Sequence, residues 1–143
     1  MDIASLIVGR ARADIVQCEA ATRMRDAVAL LAERRIGAMP VMEGGRVAGI
    51  FSERDVLYCV AKEGAAAFDR TVGEVMTAPA ITVSPKTKVD EAMALMTRRR
   101  VRHLPVVDGE VMCGFISIGD LVKSRIDEVE RDAAAMRDYI RTA

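Results

Sequence analysis

Two short stretches carry the residues best suited to chemistry, Ser52-x-x-Asp55 and Ser117-x-x-Asp120. Each follows a glycine and two apolar residues, Gly49-Ile50-Phe51 and Gly114-Phe115-Ile116. An apolar run ending in serine places that serine at the start of a helix and the aspartate in its first turn. A carboxylate there can accept both hydroxyls of a ribose. The serine hydroxyl can cap the helix or meet a ligand, and the free first-turn amides offer a positive end to phosphate. One Ser-x-x-Asp alone is an ordinary helix start. Its recurrence in the same setting is what points to a pair of sites. Arg102 and His103 are two further residues that could do chemistry, a guanidinium and the chain's single histidine.

Other chemistries find little support. A lone histidine builds no Ser-His-Asp triad. There is no phosphate loop of the Walker type and no GxGxxG, so the chain is read as non-catalytic. Cys18, Cys59 and Cys113 are odd in number and widely spaced, which suits buried thiols in the reducing cytoplasm and supports neither disulfides nor a metal site. Twenty-one basic and 21 acidic residues cancel, and aromatics are only 3%. That balance argues against nucleic acid as partner of the Arg98–Arg102 run, and against an anionic membrane surface. No stretch approaches the ~20 apolar residues of a membrane span, and Met1 to Val16 lacks the pattern of a secretory leader.

The elements that must position these residues come as a repeat. Thr22 to Leu57 aligns without a gap on Thr87 to Val122, at an offset of 65 residues. The identities include Pro40/Pro105, Val41/Val106, Gly49/Gly114, Ser52/Ser117 and Asp55/Asp120. Such a repeat means two copies of one supersecondary unit, each too small to be stable alone, so that they must pack together. Within each copy, Met24, Val28 and Leu31, or Val89, Ala92 and Met96, recur at helical spacing. Thr87 with Asp90 is expected to cap the second of these helices as a capping box. Apolar runs Met39–Met42 and Leu104–Val107 follow, then turns at Gly44–Gly45 and Asp108–Gly109, strands Val47–Phe51 and Val111–Ile116, and a second helix. Extended segments Asp14–Cys18 and Ala80–Val83 precede the copies, and Asp69–Met76 is expected as a short helix.

The strings IGAMPV…GIFSERD and VRHLPV…GFISIGD resemble the cystathionine-β-synthase (CBS) domain family, as a tandem pair with no effector domain attached. The resemblance covers about residues 10 to 125. It implies an α/β fold, a tandem CBS pair of two β-α-β-β-α lobes related by a pseudo-two-fold axis, plus a C-terminal helical extension. The units are expected over 1–68 (first repeat), 69–125 (second repeat) and 126–143 (C-terminal helix). The resemblance also implies two clefts between the lobes that take adenosine compounds: AMP, ADP, ATP, NAD(H) or S-adenosylmethionine. Carried over residue by residue, the first cleft is Ser52, Arg54, Asp55, Thr82, Val83, Val101, Arg102 and His103. The second is Gln17, Cys18, Ile36, Gly37, Ala38, Phe115, Ile116, Ser117 and Asp120. It departs from the first, with Gln17–Cys18 where Thr82–Val83 stand and no charge at Gly37 or Ala38, so it is expected to be empty or to hold only an adenosine end.

Beyond the second copy, Val122, Ile126, Val129, Ala133, Met136 and Ile140 are spaced 4, 3, 4, 3, 4. That is a coiled-coil seam, and the alternative is a tail folded back on its own lobe. The resemblance implies a homodimer. Two functions stay open: a regulatory nucleotide sensor that signals to a downstream protein, or a ligand-free scaffold that uses the same fold to dimerise and dock a partner.

Overall fold

The computed structural model describes residues 1–142. Its helices are α1 (Ile3–Ile7), α2 (Met24–Arg34), α3 (Glu53–Glu63), α4 (Val72–Val75), α5 (Val89–Arg99) and α6 (Ile118–Thr142). Its strands are β1 (Cys18–Glu19), β2 (Ala38–Glu43), β3 (Arg46–Ser52), β4 (His103–Asp108) and β5 (Val111–Ser117). Both hairpins form where the turn residues predict. Gly44 and Gly45 adopt φ of 60° and 78°, the left-handed pair that a tight hairpin needs. The two hairpins share one register at the 65-residue offset, with Ala38 opposite Ser52 and His103 opposite Ser117. Both also carry an irregularity at the same place, between Val41 and Met42 and between Val106 and Val107. The extended segment before each hairpin joins it in parallel: Cys18 pairs with Val41, and Val83 bridges to Val106.

The two lobes have separate cores. One gathers Met24, Ala27, Leu31, Met39, Val41 and Phe51; the other gathers Val89, Ala92, Met96, Leu104, Val106, Ile116 and Leu121. Strand β2 is buried on both faces from Ala38 to Met42, whereas β3 and β5 tend to alternate. Neither copy completes its own core. Helix α1, which precedes the first copy, docks on the second: Ile3 is fully buried there, and its amide donates to the Thr87 carbonyl at 2.8 Å. Helix α4, which precedes the second copy, docks on the first: Val72 is fully buried, and its amide donates to the Thr22 carbonyl at 2.7 Å. The segments before the repeats are therefore exchanged between lobes.

Helices α2 and α5 end alike. Arg35 and Arg100 take φ of 53° and 56°, left-handed caps built without glycine. The amides of Ile36 and Val101 then return to the carbonyls of Leu31 and Met96, both at 3.1 Å. The α5 start differs from the expected capping box. Lys88 is the N-cap and makes no side-chain cap, while the Thr87 hydroxyl accepts from the Ser84 amide at 3.1 Å. The threonine is spent on the turn that Pro85 begins, one position too early to serve the helix. Asp14 likewise falls in a single 3-10 turn, Arg12–Asp14, and not in an extended strand.

The exchanged helix makes a direct prediction. Ile3→Ala should destabilise the second lobe by about 2–4 kcal/mol, the cost of emptying a fully buried aliphatic site. Thermal unfolding checks it: a change within the error of the wild-type melting temperature would mean that α1 contributes nothing to that core.

Candidate functional site

Each Ser-x-x-Asp sits at the junction of the second hairpin strand and the following helix. The Asp55 carboxylate (Oδ2) accepts from the Ser52 amide at 2.8 Å and from its hydroxyl at 3.1 Å. Asp120 accepts from the Ser117 amide at 2.8 Å, and the Ser117 hydroxyl accepts from the Asp120 amide at 3.2 Å. A second bond ties each junction to the partner strand's approach: the Glu53 amide donates to Gly37 O at 3.0 Å, and that of Ile118 to Arg102 O at 2.8 Å. The aspartates are thus held in the first turn by their own serines, at the mouths of two cavities between the lobes.

The cavity at Asp55 has a volume of about 430 Å³, within the range of small-molecule sites. Ser52, Arg54, Asp55, Val101, Arg102 and His103 line it as expected from the sequence. Thr82 and Val83 do not: Val83 is buried in the second core, and both border a separate surface hollow with Ser84 and Arg98. The chain facing Asp55 is instead the preceding stretch, with Thr77, Pro79, Ala80 and Ile81 on the wall. Thr77 pairs with Ile50 through two backbone bonds of 3.0 Å, and its hydroxyl donates to Asp55 Oδ1 at 2.9 Å. Tyr58, two-thirds exposed, stands at the rim. Arg99 and Arg100 join Arg54 and Arg102, so four arginines border one cavity. The left-handed cap at Arg100 turns the chain so that α5 delivers this run to the cleft, and the Arg100 carbonyl accepts from Arg54 at 3.2 Å, bridging the lobes.

The cavity at Asp120 is of similar size, about 440 Å³. Ile36, Ala38, Phe115, Ser117 and Asp120 line it. Four expected residues lie elsewhere. Ile116 is fully buried in the second core, and Cys18 is buried in the first, where burial and the neighbouring Glu19 push its thiol up to about 11. Gly37 opens onto the Asp55 cavity, and Gln17 borders neither. In their place come Gly9, Arg10, Ala11 and Asp14 to Val16. Arg10 forks onto Asp120, with Nη2–Oδ1 at 3.0 Å and Nη1–Oδ2 at 3.4 Å. Burial alone would raise the Asp120 carboxyl; the Arg10 pair and the Ser117 bonds outweigh it and hold the group below its ordinary value. The carboxylate that could take a ribose is therefore already paired to a cation of the same chain.

Ala38 and His103, equivalent positions of the repeat, line both cavities and form the wall between them. His103 stacks on Phe115 with ring centres 5.5 Å apart. Burial holds its pKa below the ordinary histidine value, against the pull of Asp120 and Glu53 and with the push of Arg102. At neutral pH the wall is thus uncharged. Among the described residues no cluster of His, Cys, Asp and Glu could hold a metal ion, and no helix is long and apolar enough to cross a membrane.

Sequence reasoning missed Arg10, Tyr58, Thr77 and Ile81. In the structure Thr77 follows α4 as Gly9 and Arg10 follow α1, so the segments before each copy correspond even though their residues do not.

Two lobes of one hairpin-and-helix unit, with paired clefts at Ser-x-x-Asp helix starts, define a tandem two-lobed module. The family profile of the CBS domain matches residues 7–62 and 72–127, and the chain belongs to the CBS domain family as a tandem pair. It is similar to a protein with CBS domains from Burkholderia ambifaria, whose solved structure shares 40% identity at a TM-score of 0.81, over 89% of this chain and 95% of that one. It is 37% identical over 128 residues to the mitochondrial CBS domain-containing protein CBSX3 of Arabidopsis thaliana, covering 86% of this chain and 62% of that protein's length. The structure of CBSX2 in complex with AMP has the same fold, with a TM-score of 0.76 and 23% identity over 88% of this chain and 96% of that one.

The neutral wall predicts a pH dependence. His103 has a lowered folded-state pKa, so its contribution is full above the ordinary value of about 6.5 and is lost as pH falls from there towards the folded value. Melting temperatures should fall between about pH 7 and pH 5, and His103→Gln should flatten that slope. An unchanged slope in the variant would place the titration elsewhere.

Proposed function

We propose that this chain is a non-catalytic regulatory module that binds an adenine nucleotide (AMP, ADP, ATP or NAD(H)) in the Asp55 cleft, and that it signals occupancy to a partner protein as a homodimer. The observation that carries the reading is the chemistry gathered around that cleft. Asp55 can take the ribose hydroxyls by exchanging its Thr77 bond. The first-turn amides of α3 and the guanidiniums of Arg54 and Arg102 suit the phosphate. Ile50, Ala38, Val101 and Ile81 offer apolar walls to the base. The AMP complex of CBSX2 supports the choice of ligand class. Three free cysteines fit a reducing compartment, the cytoplasm being the setting proposed.

Occupancy should be unequal. In the second cleft a ribose must displace the Arg10 fork from Asp120, whereas in the first it exchanges one hydroxyl bond. The Arg10 pair also favours the rival reading in part, since one site of two is closed by the chain itself, as in a scaffold that needs no ligand.

Nucleotide at a hundred times its dissociation constant should stabilise the fold by about 2.7 kcal/mol, raising the melting temperature by several degrees. Flat melting curves with all four nucleotides at saturating concentration would promote the scaffold. Asp55→Ala should weaken binding by roughly 1.5–3 kcal/mol, the worth of charge-assisted hydrogen bonds, and Asp120→Ala by much less. Both variants lose a helix-start carboxylate, so the difference in calorimetric affinity reports on ligand and not on folding. The reverse order would assign the ligand to the Asp120 cleft. Arg102→Ala should cost affinity for AMP far more than for adenosine, and equal losses would make Arg102 a structural residue.

A further inference from the structure

Helix α6 leaves its own lobe after two turns. Leu121 and Ser124 are buried against it, and the Ser124 hydroxyl meets Met1 Sδ at 3.1 Å. On another face Val122, Ile126, Val129, Met136 and Ile140 are between 40% and 66% exposed. The tail is therefore not folded back, and a seam of apolar residues continues to the end of the helix without a cover. With Ile126, Ala133 and Ile140 at the a positions of a heptad, Val122, Val129 and Met136 occupy d.

The charges beside the seam say what covers it. Arg125 and Asp132 fall at g, and Lys123, Glu130 and Arg137 at e. In a parallel in-register pair each g residue faces the e residue five positions on in the second helix. That sets Arg125 against Glu130 and Asp132 against Arg137, opposite charges on both sides of the two-fold axis. In the fully overlapped antiparallel register Val122 meets Ile140 and Ile126 meets Met136. The flanks then bring Glu130 to Glu130, Asp132 to Asp132 and Lys123 to Arg137, so these like charges meet. Among the described residues Asp132 and Arg137 have no ion pair within the chain. Arg125 contacts Glu128 at 3.2 Å and is within 4.0 Å of Asp90.

We propose that α6 forms a parallel, in-register two-stranded coiled coil with α6 of a second copy of this chain. It deepens the homodimer reading and rests on it. An isolated three-heptad helix would be marginal in water, but this one is started by its lobe, where Leu121 and Ser124 hold the first turns. The arrangement places the two second lobes side by side at one end of the coil.

A charge swap tests the pairing. Asp132→Arg sets two arginines against Arg137 across the dimer and should raise the dimer dissociation constant by about tenfold or more. The double variant Asp132→Arg/Arg137→Asp should return it to near the wild-type value. Neither single change harms the helix itself: Asp132→Arg gains Glu128 at i−4, and Arg137→Asp gains Arg141 at i+4. Circular dichroism should therefore stay helical while association drops. Under mild oxidation Met136→Cys should cross-link to itself as a covalent dimer, and Arg131→Cys, on the outer face, should not. Sedimentation equilibrium separates the failures. A monomeric wild type overturns both the homodimer and the coil. A dimer indifferent to Asp132→Arg overturns the coil and leaves association to the lobes. A cross-link between Ile126→Cys and Met136→Cys chains, with none from Met136→Cys alone, overturns the parallel order.

Discussion

The structure depends on one constraint: a single repeat cannot close its own hydrophobic core. A copy of the unit supplies a hairpin and two helices, and the remaining face is covered by the helix preceding the other copy. Ile3 fills the second lobe and Val72 the first, each at zero exposure. The exchange fastens the lobes together, because undoing it exposes an aliphatic residue that the other half of the chain delivered.

The same constraint makes the clefts unequal. A segment leaving its exchanged helix must cross the face of the hairpin to reach its own copy, and in crossing it becomes a cleft wall. After α4 that segment carries Thr77, which pairs with β3 and touches Asp55 with a neutral hydroxyl. After α1 it carries Arg10, which forks onto Asp120. Glycines permit the crossings. A Cβ at Gly49 would stand 2.6 Å from the Thr77 carbonyl, and one at Gly114 would stand 2.8 Å from Ile7 Cγ2. Two nearly superimposable helix starts thus acquire different chemistry from residues outside the repeat.

That is also where sequence reading stopped. The hairpins, helices and Ser-x-x-Asp junctions were legible because periodicity, turn residues and the 65-residue offset all agree on them. The ends of the four hairpin strands fall within a residue of those expected. Helix α1, of five residues, is too short to show a period; α4 falls within the short helix expected over Asp69–Met76, but nothing in a linear pattern tells which lobe a short helix will cover. Without that, Arg10 and Thr77 could not be placed, and the walls were assigned to Gln17–Cys18 and Thr82–Val83. Those pairs lie at or beside the parallel contacts with β2 and β4, where Cys18 meets Val41 and Val83 meets Val106. Thr87 misled for a different reason: Ser84 and Pro85 form a turn that competes for the same hydroxyl.

The first cleft is mechanically connected to the rest of the molecule. Arg54, at the start of α3, donates to the carbonyl of Arg100, the left-handed cap of α5. Ala92 and Met96 of α5 share a core with Leu121 of α6. In the nucleotide complex proposed above, a phosphate drawn to Arg54 would compete with that carbonyl, exchanging an inter-lobe bond for a ligand bond at the end of a helix packed on α6. Such an exchange shifts the arrangement of the lobes only by the difference in the ligand's affinity for the two arrangements. In the complex proposed above, Arg54 and Arg100 are one place where such a difference can arise, since they belong to opposite lobes and meet at the cleft. Arg10 places the opposite condition on the second cleft: it joins the N-terminal segment to Asp120, so a ligand that used that carboxylate would first have to displace a cation of the same chain.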